Sequence, residues 1–145
     1  MGSNMTPQQI KFRGFRTETN EPVYGNLLYS GTDYLIREIE HDKGFHKSYF
    51  VEPESVGMFT GRTDKNGKEI YGAIGERGGD KVKFIFWIAG QGESIDCEII
   101  ANVVFKDGSF ILEHNDNDFI SPLLLFDFID SIEIIGNQWE ADNGN

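Results

Sequence analysis

The chain has 145 residues, with 39% hydrophobic and 13% aromatic residues, 17 glycines and a formal net charge of −11. That length suits one domain, which buries about 68–70% of its unfolded surface and needs neither disulfides nor metal to fold. The single cysteine, Cys97, excludes an internal disulfide and a cysteine-rich zinc site. No charged-then-apolar leader opens the chain and no apolar run approaches membrane-spanning length, so a cytoplasmic protein is expected.

Residues 1–9 read as an extended or disordered tail. Gly2–Thr6 matches short acylation and glycosylation patterns that are frequent by chance, and Met1–Asn4 also fit a cloning remnant ahead of a native Met5. A single β domain is expected over 10–140, with 141–145 as a frayed tail. Ile10-Lys11-Phe12-Arg13 alternates apolar and basic, the pattern of a half-buried strand. "TETNEP" is turn-forming and "VYGNLLYS" follows as a second strand. "YLIREIE" and "FHKSYFVE" flank His41-Asp42-Lys43-Gly44, a four-residue hairpin turn with Gly44 in the left-handed position. "VGMFTGR" and "KEIYGAI" flank "TDKNG", "KVKFIFWIAG" is the most strand-like run, and "IIANVVFK" and "SFILEH" flank Asp107-Gly108. That two-residue turn sets Phe105 opposite Phe110 and Val104 opposite Ile111. In "FISPLLLFDFID", Ser121 with Pro122 can start a short helix, the alternative being an apolar strand. "SIEIIGNQWE" reads as the last strand. The fold class is therefore all-β, mainly antiparallel, barrel-like or a sandwich with tight hairpins, and with at most one short helix near 122–129.

"TDKNG" contains residue types shared by calcium loops and turns. Placing Gly67 at the sixth position of an EF-hand loop puts Arg62 where a carboxylate is needed, Glu69 at an apolar position and Ala73 in place of the bidentate glutamate. A hairpin reading is better. A two-residue Asn66-Gly67 turn sets Lys65 against Lys68 and Asp64 against Glu69, both repulsive. A turn over Asp64-Lys65-Asn66-Gly67 with Gly67 left-handed sets Asp64 against Lys68 instead. Gly72, Gly75, Gly78 and Gly79 do not have phosphate-loop spacing, and Asp80 stands where that loop needs lysine.

His41, His46 and His114 lack metal-ligand spacing, and Cys97 alternates with Ile95 and Ile99 on an expected core face. No catalytic constellation, metal site or cofactor motif emerges, so an enzyme is not expected. Charge is uneven: residues 1–84 carry 12 Lys+Arg and 12 Asp+Glu, net 0, whereas 85–145 carry 1 and 12, net −11. The acidic part is either a solvated face or an interaction surface, including one that mimics DNA. "IKFRGFR" interleaves Lys11, Arg13 and Arg16 with Phe12 and Phe15, the composition of small barrels that bind single-stranded nucleic acid. An ordinary strand with its cations in water is the simpler reading, since the net charge repels polyanions.

"IKFRGFRTETNEPVYGNLL", "VGMFTGRTDKNGKEIYG", "VVFKDGSFIL" and "IEIIGNQWE" together resemble, in order, segments of the YopX family, small proteins of phages and prophages. The resemblance implies a β-rich, barrel-like body and supplies no catalytic residues. The family's biochemical activity is unassigned, and the resemblance together with the missing catalytic constellation and the acidic C-terminal part leads to the expectation of an accessory protein that binds a phage or host protein; homo-oligomerisation through an exposed β edge is a further option. Family members follow the tyrosine equivalent to Tyr71 with an acidic-Gly-Asp turn; here "GAIGERG" intervenes, Gly79-Asp80 is the displaced equivalent, and the insertion is expected to be a flexible loop.

Overall fold

A computed structural model describes residues 6, 9–39, 46–90, 93–114 and 122–142. Eleven strands follow in chain order: β1 (Phe12–Phe15), β2 (Pro22–Ser30), β3 (Asp33–Ile39), β4 (His46–Val51), β5 (Gly57–Thr63), β6 (Glu69–Ala73), β7 (Asp80–Gly90), β8 (Glu93–Lys106), β9 (Ser109–Glu113), β10 (Leu123–Leu124) and β11 (Glu133–Asn137). A short helix, α1 (Gln138–Asp142), ends the described chain. The strands form one sheet in the order β10-β9-β8-β6-β5-β1-β2-β3-β4, and β7 branches from β8 to carry β11. Among the described residues every strand pairing is antiparallel except β6 with β8, which meet at Ala73 and Val104. All-β architecture is thus as expected, but the sheet does not close into a barrel. The strands diverge after Ala73, where the chain leaves β6 and re-enters as β7. The partial closure lies elsewhere, at a bridge between Arg16 and Val51 that returns β4 to the end of β1.

The strand patterns sort side chains into two cores. Val23, Ile36, Val51 and Val56 fill the curl of β1–β4, with Phe12, Leu27, Tyr34 and Tyr49 packed against them. The larger core gathers Ile70, Val82, Phe84, Ala101, Val103, Phe110 and Leu112 with Leu125 and Ile132. β1 lies between β2 and β5, so both of its edges are paired, and side chains on its two faces are covered, with Arg13 buried along with Phe15. The expectation of a strand with its cations in water is corrected at Arg13, while Lys11 and Arg16 remain part-exposed. Cys97 sits half-buried, opposite Phe86 on β7.

The turns show their chemistry directly. Asp107 and Gly108 both have positive φ, 53° and 83°, and Phe105 pairs with Phe110 and Val104 with Ile111. Gly67 has φ 83°, its N–H donates to Asp64 O at 3.0 Å, and Asp64 N–H donates to Lys68 O at 2.7 Å, the geometry of a glycine-bulged turn. The turn at His41–Gly44, Ser121, and residues 1–5 and 143–145 lie outside the described residues. Helix is distributed differently from expectation. Leu123–Leu124 pair beside β9 as β10, the Leu125–Ser131 3-10 segment overlaps the short helix expected near 122–129, and α1 occupies residues read as strand and tail. The α-helix forms because Asn137 Oδ1 accepts the Glu140 N–H (2.8 Å) while Trp139 turns inward against Phe15. Asn20, at φ 61°, accepts the Trp139 indole N–H at 2.8 Å.

The 74–79 segment is held rather than loose. Ile74 and Gly75 N–H donate to Val56 O, and Arg77 N–H to Glu54 O. A Cβ on Gly78 would lie 1.8 Å from Val56 O and one on Gly79 2.0 Å from Val103 O, so only glycine permits this backbone approach.

Candidate functional site

β6 uses one edge for β5 and, among the described residues, pairs with β8 at Ala73 alone, while β11 uses one edge for β7. Between their remaining edges lies an open cleft of about 600 Å³. Its walls are Lys68, Glu69 and Tyr71 on the β6 side and residues 134–137 on the β11 side, with Arg13, Tyr24 and Asp80 completing it.

Arg13 and Asp80 form the deep end. Arg13 Nη1 donates to Asp80 Oδ1 at 2.6 Å and Nη2 to Gly78 O at 3.0 Å. Asp80 Oδ2 accepts the Tyr71 N–H at 2.7 Å, and Asp80 is 2% exposed. Arg13 Nε is buried with no hydrogen-bond partner among the described residues. Its guanidinium instead lies 4.9 Å from the Tyr71 ring centroid and 5.9 Å from that of Phe15, where the ring faces offset part of the missing bond. Burial pushes the Asp80 carboxyl above its ordinary value, with Arg13 and the Tyr71 N–H opposing that rise. The Tyr71 phenol is also pushed well up, by burial and then by Glu69. Its O–H donates to Glu69 Oε1 at 3.1 Å, and Lys11 Nζ donates to Glu69 Oε2 at 2.6 Å.

Asp64 closes the other end. Its Oδ1 accepts N–H groups of Asn66 and Lys68, each at 2.9 Å, and its Oδ2 accepts that of Ile134 at 2.9 Å. Burial opposes ionisation, but these three donors outweigh it and hold the carboxyl below its ordinary value. Lys65 N–H donates to Ile132 O at 3.0 Å, which fastens the hairpin tip to β11. Asp64, which looked like a calcium ligand, has both carboxylate oxygens engaged by backbone donors. Among the described residues, no three His, Cys, Asp or Glu side chains gather as a metal set.

A family model described as YopX protein matches residues 11–143. The chain belongs to the YopX family. No curated protein and no solved structure matches it. In this YopX chain the three cations read together in "IKFRGFR" part company. Arg13 is 6% exposed and bound to Asp80, so it is not placed to meet a phosphate, because a buried guanidinium with its own carboxylate cannot leave without a large cost. Lys11 engages Glu69, and Arg16 lies 4.2 Å from the Tyr49 ring centroid and 3.7 Å from Glu18. Asp64, Asn66 and Gly67 shape one end of the cleft, whereas Asp107 and Gly108 form the distant β8–β9 turn. Asp80 was visible in sequence as part of Gly79-Asp80. Its pairing with Arg13, 67 residues away, carried no local signal.

The outward faces of this YopX fold carry apolar rows. Leu28, Leu35 and Phe50 are aligned across β2, β3 and β4, with Phe50 56% exposed. Val104, Ile111 and Leu124 are aligned across β8, β9 and β10, with Leu124 41% exposed. The acidic residues of the C-terminal part are spread over several elements, and some are paired: Glu133 with Lys65 and Lys83, Asp142 with Arg77. No described helix is long and apolar enough to cross a membrane.

Proposed function

We propose that this YopX protein is a phage or prophage accessory factor that acts by binding another protein and not by catalysis. The observation that carries this reading is the Leu28–Leu35–Phe50 row, in which three apolar side chains stand side by side on the outer face of a three-stranded meander. Phe50 is exposed and Leu28 and Leu35 are half-buried beside it, so the row offers a contiguous apolar strip where an isolated apolar residue would be ordinary. The cleft supports the same reading. Its acids and its buried phenol are tied into structural pairs, Asp80 with Arg13 and Glu69 with Lys11 and Tyr71, so they serve to hold strands in place.

Affinity capture from a bacterial host lysate tests this. The wild-type protein is expected to recover a defined protein partner that a folded Phe50→Glu variant loses. A wild-type bait that recovers nothing above background, or a partner indifferent to Phe50→Glu, overturns the assignment of this face.

A further inference from the structure

We propose that the cleft between β6 and β11 takes a short extended segment of a partner protein, reading its main chain along β6 and seating an apolar side chain between Tyr24 and Ile135. This rests on the protein-binding reading above but uses a different surface. The backbone geometry carries it. Thr63 and Glu69 are opposed, and Asp64 N–H donates to Lys68 O across that pair. Residues 68 and 70 therefore direct their main-chain groups toward β5, and alternation turns those of Glu69 and Tyr71 the other way. The Tyr71 N–H confirms the direction by reaching Asp80 on that side. The Glu69 N–H and C=O face the cleft with no strand opposite among the described residues. Unpaired edge groups of this kind are what an added strand recognises.

The opposite wall is shaped to leave room. The register with β7 slips between Ile134 and Gly136, so Ile135 is a bulged residue without a β7 partner, and its side chain is 44% exposed. Tyr24, 45% exposed with its ring centroid 5.6 Å from that of Tyr71, stands at the rim. One end is blocked by the Asp64 contact with Ile134 and the Lys65–Ile132 bond, while toward the other the Gln138 N–H to Gly79 O bond of 3.0 Å continues the β11–β7 ladder and leaves the β6 edge uncrossed. The open span along residues 134–137 is about 10 Å at strand rise, enough for roughly three residues. The Glu69 carboxylate on the wall is already held by Lys11 and the Tyr71 hydroxyl, so it does not stand as a bare charge against an entering backbone.

The experiment selects binders to the full-length protein from a display library of random linear peptides. The selected peptides are then measured by fluorescence anisotropy against wild type, Tyr24→Ala and Ile135→Glu. Both substituted side chains are exposed, and circular dichroism checks that the variants fold. The expected result is binding about tenfold weaker or worse in each variant, with a comparable loss when a single central peptide amide is N-methylated. Binders indifferent to N-methylation and to both variants, or a library that yields none, overturn the proposal. A lysate partner lost by Phe50→Glu but kept by both cleft variants overturns the cleft assignment alone and leaves the protein-binding reading in place.

Discussion

Asp80 and Asp64 stand at opposite ends of the gap between β6 and β11, and the fold treats the two carboxylates in opposite ways. Asp80 is deep, 2% exposed, and faces one guanidinium and one backbone N–H. Asp64 is nearly as covered at 5% but belongs to a hairpin tip whose neighbours Lys65 to Lys68 are exposed, and it collects three backbone N–H donors. Ionisation is disfavoured at the first and favoured at the second, because desolvation wins where the partner is one buried cation and loses where several dipoles converge near the surface. The lesson is architectural. Where β6 and β11 fail to pair, each carboxylate bonds to a strand N–H that a ladder would otherwise satisfy.

The comparison breaks most visibly at Asp80. Asp80→Ala leaves Arg13 charged, buried and unpaired, and is expected to cost about 3–5 kcal/mol in urea unfolding. Arg13→Met combined with Asp80→Leu should recover much of that loss, since both charges leave together. Asp64→Ala should cost less, about 2 kcal/mol by the same measurement, because water can reach the exposed Asn66 and Lys68 donors and only the Ile134 N–H is left covered. If Asp64→Ala proves the more damaging, the ranking of the two ends is reversed.

Acid titration sharpens the contrast through its sign. The Asp64 carboxyl lies below its ordinary 3.8 in the fold, so its stabilisation is present above that value and lost as pH falls through the lower, folded one. The Asp80 carboxyl lies above 3.8 in the fold, so its contribution is full below 3.8 and lost as pH rises through the higher, folded value. Urea midpoints across the acid range should therefore show Asp64→Asn losing less stability than wild type as pH falls, and Asp80→Asn losing more. Parallel curves for the two variants would show that neither carboxylate governs the response. The smallest effect belongs to the turn itself. Gly67→Ala must hold a Cβ at φ 83° in open space and should lower stability by about 1 kcal/mol, read as a small shift in thermal midpoint.

Much of the local structure could be read from the chain. Asp107-Gly108 and Asp64 to Gly67 declared their turns through charge pairing and glycine, because register in a hairpin depends on neighbours a few residues apart. "GAIGERG" was misread as flexible, since nothing local shows that Val56 and Val103 carbonyls press against Gly78 and Gly79. Trp139 looked like the end of a strand, and its helix depends on Phe15 and Asn20 at the far end of the chain.

Alternation, turn chemistry and the YopX phrases, all short-range properties, were enough for an all-β chain, its hairpins and its family. Whether the sheet closes, that Arg13 is buried instead of solvated, and that two strand edges face each other across a cleft were decided by tertiary packing. Those features come from contacts spanning tens of residues, such as Arg13 with Asp80 and Asp64 with Ile134, and a strand pattern alone cannot say which neighbour will cover a face or leave an edge unpaired.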